Sequence, residues 1–187
     1  MYIRNSHKFG KEIKIINAGE YYVSRTDELI GTLLGSCVAV CLYDNVNMIS
    51  GMNHFMLPGR ISKVDIFQDR SAKYGIIAIR ELVTAMKKNG AKQKNLSAKI
   101  FGGGNVMEIE RKVHTIPEDN VRLANILLEI EDIPIVETDT KGPYTRKLLM
   151  DVISGKVYLK KTRNREILLQ VNDKNGKYRQ GVLIADG

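Results

Sequence analysis

The stretch LLGSCVAVCLYD, residues Leu33–Asp44, decides the fold predicted for this chain. Its part from Cys37 to Tyr43 is almost wholly apolar, which is typical of a strand that is covered on both faces. Asp44 and Asn45 supply turn chemistry at its end, and Met48–Leu57 has the pattern of a partner strand. We therefore expect a buried hairpin at the centre of a sheet.

Patterns on either side of this hairpin predict an α/β protein with a mixed β-sheet and two main helices. Apolar residues recur at helical spacing over Ser71–Asn89 and from about Glu118 to Glu131, and Gly90 stands where a C-cap glycine belongs. Short apolar runs bounded by turn residues predict the remaining strands. These lie at Ile13–Ile16, Tyr21–Val23, Ala98–Phe101, Ile133–Glu137, Lys147–Ile153 and Lys156–Lys160.

Length and composition fit one globular domain. The chain has 187 residues, of which 43% are hydrophobic and 27% charged. It contains no apolar run of the roughly 18 residues that a membrane helix needs, and its first residues lack the apolar core of a secretion signal. Cys37 and Cys41 lie too far apart along one strand to form a disulfide. We therefore expect a reduced, cytoplasmic protein with no segment inserted in a membrane.

The net charge of +8 is spread along the chain. Basic residues are densest between Lys160 and Gly181, where few acidic residues offset them. Clustered lysine and arginine can bind nucleic acid, but we interpret this stretch as a solvated extension and predict no nucleic-acid partner. The predicted boundaries are a folded domain over residues 1–161 and a basic extension over residues 162–187, which forms either an extra hairpin or a flexible tail.

Cys37 and His54 are the residues most suited to chemistry. A thiol attacks as the thiolate, and with a reference pKa of about 8.5 it needs a neighbouring imidazole or amide groups to stabilise the anion. The predicted hairpin places position 37 opposite about position 55, so the thiol and the imidazole can meet. Gly35 and Ser36 form a flexible turn whose backbone N–H groups suit an oxyanion. Spacing alone leaves open that Cys37, like mid-strand Cys41, is a buried hydrophobe.

No cofactor and no metal site are predicted. Two cysteines and one histidine fall short of the four ligands of structural zinc, and His7 and His114 lie among polar neighbours typical of the surface. The glycine run FGGGN, residues 101–105, lacks the lysine and the Ser/Thr of a P-loop and does not fit the dinucleotide-binding pattern. We predict that it is a tight turn at a strand end, where backbone approaches the active site or a helix.

Taken in order, several motifs resemble the CheD family, the chemoreceptor glutamine deamidases of bacterial chemotaxis. They are GEYYVSRTDELIGTLLGSCVAVCLYD, GMNHFMLP, KYG, KIFGGGNVM and IPIVETDTKGPYTRKLLMDVISGKVYLK. The resemblance runs from about Ile13 to Lys161. It implies a three-layer α/β sandwich and a hydrolase that converts selected receptor glutamines to glutamate, with release of ammonia through a cysteine thioester. It also implies methyl-accepting chemotaxis receptors as substrate and the CheC phosphatase as a partner.

The resemblance further implies a Cys-His-Thr catalytic set. Cys37 and His54 match the nucleophile and the base of the family in motif and separation. The threonine column falls on Gly31 or on Thr32, so either Thr32 is the third residue or a different group orients His54. A second departure is Lys141-Gly142, where the family has Gly-Gly, in a loop expected near the active site or the partner surface.

Two other functions stay open from the sequence. A CheD-like regulator would bind CheC or receptors without deamidating them, and the departure at the threonine column keeps this alternative. A nucleic-acid-binding module built on the basic extension is the second, and it leaves the Gly-Ser-Cys turn and His54 without a role.

Overall fold

The computed structural model describes residues 1–57, 59, 61, 67–105 and 115–163. The tail beyond residue 163, including the hairpin predicted as one form of the extension, and His114 lie outside the described residues. The helices and strands within the described ranges are β1 (Tyr2–Ser6), β2 (Lys11–Ile15), β3 (Tyr21–Ser24), β4 (Leu29–Leu34), β5 (Val38–Asp44), β6 (Ile49–Asn53), α1 (Arg70–Lys88), β7 (Leu96–Gly102), α2 (Ile116–Ile130), β8 (Ile135–Thr140), β9 (Tyr144–Asp151) and β10 (Val157–Arg163).

These strands form two mixed sheets of five strands each. The first sheet has the order β1-β2-β4-β9-β10, and its one parallel pair is β2 with β4. The second sheet has the order β3-β6-β5-β7-β8, and its one parallel pair is β7 with β8. The predicted α/β class with two helices and mixed strand pairing is confirmed, and the strands divide between two sheets. Neither helix of the described chain is long and apolar enough to span a membrane.

Strand β5 is covered on both of its faces, as its continuous apolar run predicted. Val38, Val40 and Leu42 belong to one apolar cluster, which β5 shares with α1 and α2. Ala39 and Cys41 alternate with them and belong to a second cluster, which lies between the two sheets. Because successive side chains of a strand point to opposite faces, β5 lies between the helices and the first sheet.

The β5–β6 hairpin has the predicted partners and the predicted turn. Cys41 pairs with Met52, and the same register continues to an isolated bridge between Val38 and Phe55. The Asp44 carboxylate accepts hydrogen bonds from the backbone N–H groups that follow it in the turn. This register fixes where Cys37 and His54 lie, because each directly precedes one residue of the Val38–Phe55 bridge.

Candidate active site

Cys37 and His54 lie on the same face of the second sheet. Val38 and Phe55 exchange two backbone hydrogen bonds of 2.9 Å, and Cys37 and His54 directly precede them in an antiparallel pairing. The two residues are therefore diagonal neighbours, a relation within reach of long or aromatic side chains. Cys37 packs half-buried against the cluster between the sheets, and His54 is 6% exposed.

Thr32 reaches His54 from the first sheet and fixes the tautomer of its imidazole. The Thr32 hydroxyl lies 2.9 Å from the Ile16 carbonyl oxygen and 2.8 Å from His54 Nδ1. A carbonyl can only accept, so the single hydroxyl proton is donated to Ile16, and Thr32 Oγ1 then accepts from His54 Nδ1–H. The lone pair of the neutral ring is left on Nε2, which is buried and has no hydrogen-bond partner in the described part of the chain.

Gly31 is excluded as the group that orients His54. A Cβ placed on Gly31 would lie 2.9 Å from side-chain atoms of Ile15 and Leu149, on the face of β4 opposite to the one that carries Thr32. Of the two positions left open by the sequence, the structure brings Thr32 to the imidazole.

Both members of the Cys37–His54 pair are neutral near pH 7. Burial lowers the pKa of His54 to about 4, although the Ile16 carbonyl and the Glu20 carboxylate act in the other direction. Burial also raises the pKa of the Cys37 thiol, and the opposing contributions of its own backbone N–H and of Ser36 do not cancel that effect. Burial therefore opposes the thiolate that the sequence argument requires for attack. Desolvation favours the uncharged form of each group, so at rest Cys37 is a thiol and His54 is a neutral base. Within the described residues, His54 Nε2 has no hydrogen bond to the Cys37 sulfur.

The lowered pKa of His54 predicts that the protein loses stability as the pH falls from about 6.5 to about 4. In this window the unfolded chain binds a proton at His54 that the folded chain does not bind, so the free energy of unfolding decreases. The difference between the two pKa values corresponds to about 3 kcal/mol. Urea unfolding at stepped pH measures it, with His54→Asn as the control. The same pH dependence in both proteins would contradict the assignment.

The glycine run packs its backbone closely against the segment that carries Cys37, as the prediction of a close backbone approach required. Gly103 N donates to the Cys37 carbonyl at 2.7 Å, and Gly104 N donates to the Gly35 carbonyl at 2.8 Å. Gly102 and Gly103 have φ angles of +112° and +60°. A Cβ on Gly102 would lie 2.2 Å from the Cys37 carbonyl oxygen, so a side chain there would displace the turn.

The Lys141-Gly142 loop lies against the same glycine run. Lys141 N donates to the Gly102 carbonyl, and Asn105 N donates to the Gly142 carbonyl, both at 2.9 Å. Lys141 and Gly142 have φ angles of +64° and +75°, so this loop holds a non-glycine residue in the left-handed region. The departure from Gly-Gly thus places a lysine next to the backbone that supports the Cys37 turn.

One buried residue at the site was missed from the sequence. Asn120, in α2, donates from Nδ2 to the Ser36 carbonyl at 3.1 Å and accepts at Oδ1 from Leu57 N at 2.8 Å. It lies four residues before Ala124, on the apolar stripe by which the helix was predicted. A side-chain amide on an apolar stripe was the signal that could have identified Asn120, since a buried polar group needs hydrogen-bond partners. His7, predicted at the surface, is exposed.

Replacing Thr32 by valine should slow catalysis by leaving His54 Nδ1–H without its acceptor. An unsatisfied buried donor costs about 1–3 kcal/mol, which corresponds to a loss of roughly 5- to 150-fold in rate. Thr32→Ser keeps a hydroxyl and should retain most of the rate. Steady-state turnover measures both variants, and equal rates for Thr32→Val and the unchanged protein would contradict this role.

The chain is similar to a protein family and to several named proteins. The family model described as CheD chemotactic sensory transduction matches residues 56–161, so Cys37 and His54 precede the matched segment. A protein of Janthinobacterium sp. (strain Marseille), named "Probable chemoreceptor glutamine deamidase CheD", is 36% identical over 181 residues, which are 95% of this chain and 89% of that protein. A protein of Hahella chejuensis with the same name is 38% identical over 157 residues, 83% and 72% of the two chains.

The chain also has a distant likeness among solved structures. The crystal structure of the Bacillus licheniformis hypothetical protein YfiH aligns with a TM-score of 0.44 and 14% sequence identity. The alignment covers 66% of this chain and 51% of the other. A likeness at this level carries no argument about function.

Proposed function

The chain belongs to the CheD family, and from this premise we propose that Cys37, His54 and Thr32 carry out the hydrolysis of chemoreceptor glutamines. The activity is that of a chemoreceptor glutamine deamidase, a hydrolase acting on glutamine side chains of a protein. In the proposal Cys37 is the nucleophile, His54 is the general base and acid, and Thr32 holds the His54 ring. Gly35 and Ser36 belong to the turn that supplies backbone donors to the oxyanion.

The reaction proceeds through two acyl transfers at the glutamine side chain. His54 Nε2 takes the proton of the Cys37 thiol as the sulfur attacks the carboxamide carbon, and backbone N–H groups of the turn stabilise the oxyanion. The C–N bond breaks as the imidazolium returns its proton to the leaving nitrogen, which departs as ammonia and leaves a glutamyl thioester. Water then attacks the thioester with His54 as base, and the C–S bond breaks to give glutamate and the thiol.

One observation carries this assignment of roles: the hydroxyl of Thr32 leaves the basic lone pair of His54 on Nε2. The donor to Ile16 and the acceptor from Nδ1–H are the same oxygen, at 2.9 and 2.8 Å. Nε2 is the nitrogen of His54 without a hydrogen bond in the described residues, and it belongs to a ring on the same sheet face as Cys37. A neutral thiol and a neutral base on one sheet face fit a proton transfer that is coupled to attack.

Mass spectrometry of a chemoreceptor co-expressed with this protein tests the function. The enzyme should convert specific receptor glutamines to glutamate, seen as the mass gain of an amide-to-acid change at those sites. A receptor expressed alone and a receptor expressed with Cys37→Ala should keep their glutamines. Unchanged glutamines in the presence of the folded protein would support a non-catalytic regulator that binds CheC or receptors.

The family also supports two further proposals, a cytoplasmic location and the CheC phosphatase as a partner. A chemoreceptor deamidase must lie in the same compartment as the receptor segment that it modifies. Co-purification of CheC with this chain tests the partner, and failure of the two proteins to associate at micromolar concentration would remove it.

A further inference from the structure

We propose that Asn120 is a positioning residue of the deamidase reaction, which holds the Ser36–Cys37 peptide so that the Cys37 N–H faces the developing oxyanion. The inference rests on the proposed function, because it takes Cys37 as the nucleophile. It adds a residue of α2 to a site that is otherwise built from strands and the turns between them.

Asn120 joins the two segments that carry the catalytic pair. Its Nδ2 donates to the carbonyl of Ser36, the residue before Cys37, at 3.1 Å. Its Oδ1 accepts from the N–H of Leu57, three residues after His54, at 2.8 Å. The side chain is fully buried, so both hydrogen bonds are made away from water, where losing either one is costly. One amide therefore fixes the nucleophile turn relative to the histidine strand.

The bond to Ser36 determines where the Cys37 N–H points. A trans peptide is planar, and its C=O and N–H bonds point in opposite directions. Because the Ser36 carbonyl is held towards Asn120, the Cys37 N–H is directed away from α2. The Gly35 and Cys37 carbonyls are likewise held, by Gly104 N and Gly103 N.

The carbonyls of Gly35, Ser36 and Cys37 thus all accept hydrogen bonds, either from the glycine run or from Asn120. The backbone N–H groups between them bond to neither. Within the described residues, the backbone N–H groups of Ser36 and Cys37 make no hydrogen bond to another residue, and the Cys37 N–H has only its own sulfur as an acceptor. Free donors next to a nucleophile are what an oxyanion requires, and they act best when they are fixed before the reaction begins. The glycine run fixes the Gly35–Ser36 peptide, and Asn120 fixes the Ser36–Cys37 peptide.

The neighbours of Asn120 on α2 do not share this task. Asp119 accepts from Ile61 N, which lies further along the segment after His54. Asn125 donates from Nδ2 to the Val121 carbonyl of the same helix at 2.7 Å. Asn125 therefore serves as a control, since it is an asparagine of the same helix whose amide, among the described residues, bonds only to that helix.

Three variants test the proposal: Asn120→Asp, Asn120→Leu and, as the control, Asn125→Leu. Asn120→Asp keeps an acceptor for Leu57 N but replaces the donor to Ser36 with an oxygen, whereas Asn120→Leu removes both. The measurements are kcat and KM for receptor glutamine deamidation, the free energy of unfolding in urea, and the iodoacetamide modification rate of Cys37, followed by peptide mass spectrometry.

Both Asn120 variants should lower kcat by about 10²-fold and leave KM within about twofold, because the lost donor acts on the transition state. Asn125→Leu should keep kcat. A folded Asn120 variant with kcat within about threefold of the unchanged protein would overturn the proposal. Asn120→Asp retains the bond to Leu57 N. A loss of kcat confined to Asn120→Leu would therefore also overturn the proposal, because it would assign the effect to the Leu57 bond and not to the Ser36 bond.

Alkylation separates this proposal from the proposed function. The Cys37 N–H also stabilises its own thiolate, so both Asn120 variants should react with iodoacetamide more slowly, by a factor of about three or more. If the unchanged protein deamidates no receptor, the proposed function fails while this slowing still reports the orientation of the turn. Unchanged alkylation in a folded Asn120→Asp variant would contradict the orientation itself.

Discussion

Replacing Cys37 by alanine is expected to abolish ammonia release from receptor glutamines while the protein stays folded. Without the sulfur no thioester can form, and the rate should fall by at least about 10⁴-fold. Cys37 is only half-buried and lies outside the strands, so its removal leaves the two apolar clusters largely intact. An enzyme-coupled ammonia assay on a purified receptor fragment measures the rate, and circular dichroism checks the fold.

Cys41→Ala is the matched control, because the second cysteine belongs to the same cluster between the sheets against which Cys37 packs. It is fully buried in the cluster between the sheets, and burial raises its pKa to about 12. A thiol of this kind stays protonated and does not attack. Cys41→Ala should cost about 1–2 kcal/mol of stability and little activity. An equal loss of activity in both variants would argue that neither cysteine is the nucleophile.

The central hairpin and the two helices could be predicted from sequence because their signals are local. The apolar run of β5 and its partner segment are joined by a short turn, so their register follows from the turn. The helices repeat their apolar residues every three or four positions. Strand β4 was missed, and it carries Thr32. Its segment contains Gly31, which weakens a strand pattern, and neither of its neighbours, β2 and β9, is adjacent to it in sequence.

The residues of the site also divide into those with a local sequence signal and those without one. Cys37 and His54 could be proposed because a thiol after Gly-Ser and a histidine in the returning strand form a short-range pattern. The contact between Thr32 and His54 depends on how one sheet packs on the other, which no local pattern specifies. The neutral state of the pair depends on burial, since desolvation is the largest effect on both pKa values. Asn120 is eighty-four positions from Ser36 along the chain.

Replacing His54 should slow deamidation by about 10²- to 10⁴-fold, the range of a lost general base. His54→Ala removes the ring but also opens a buried cavity, so its effect mixes catalysis with packing. His54→Asn is the sharper variant, because its side-chain N–H can still donate to Thr32 Oγ1 and it carries no basic nitrogen.

Both His54 variants should therefore lose comparable activity, although His54→Asn should be the more stable of the two. The loss should appear in kcat with little change in KM, because the proton moves only in the transition state. The pH dependence of the rate distinguishes a general base from a residue with a structural role only. In His54→Asn the ionisation of a group with a pKa of about 4 should be absent from the pH–rate profile. If His54→Asn keeps the rate of the unchanged protein, another group removes the thiol proton, and the neutral pair described above is not the catalytic one.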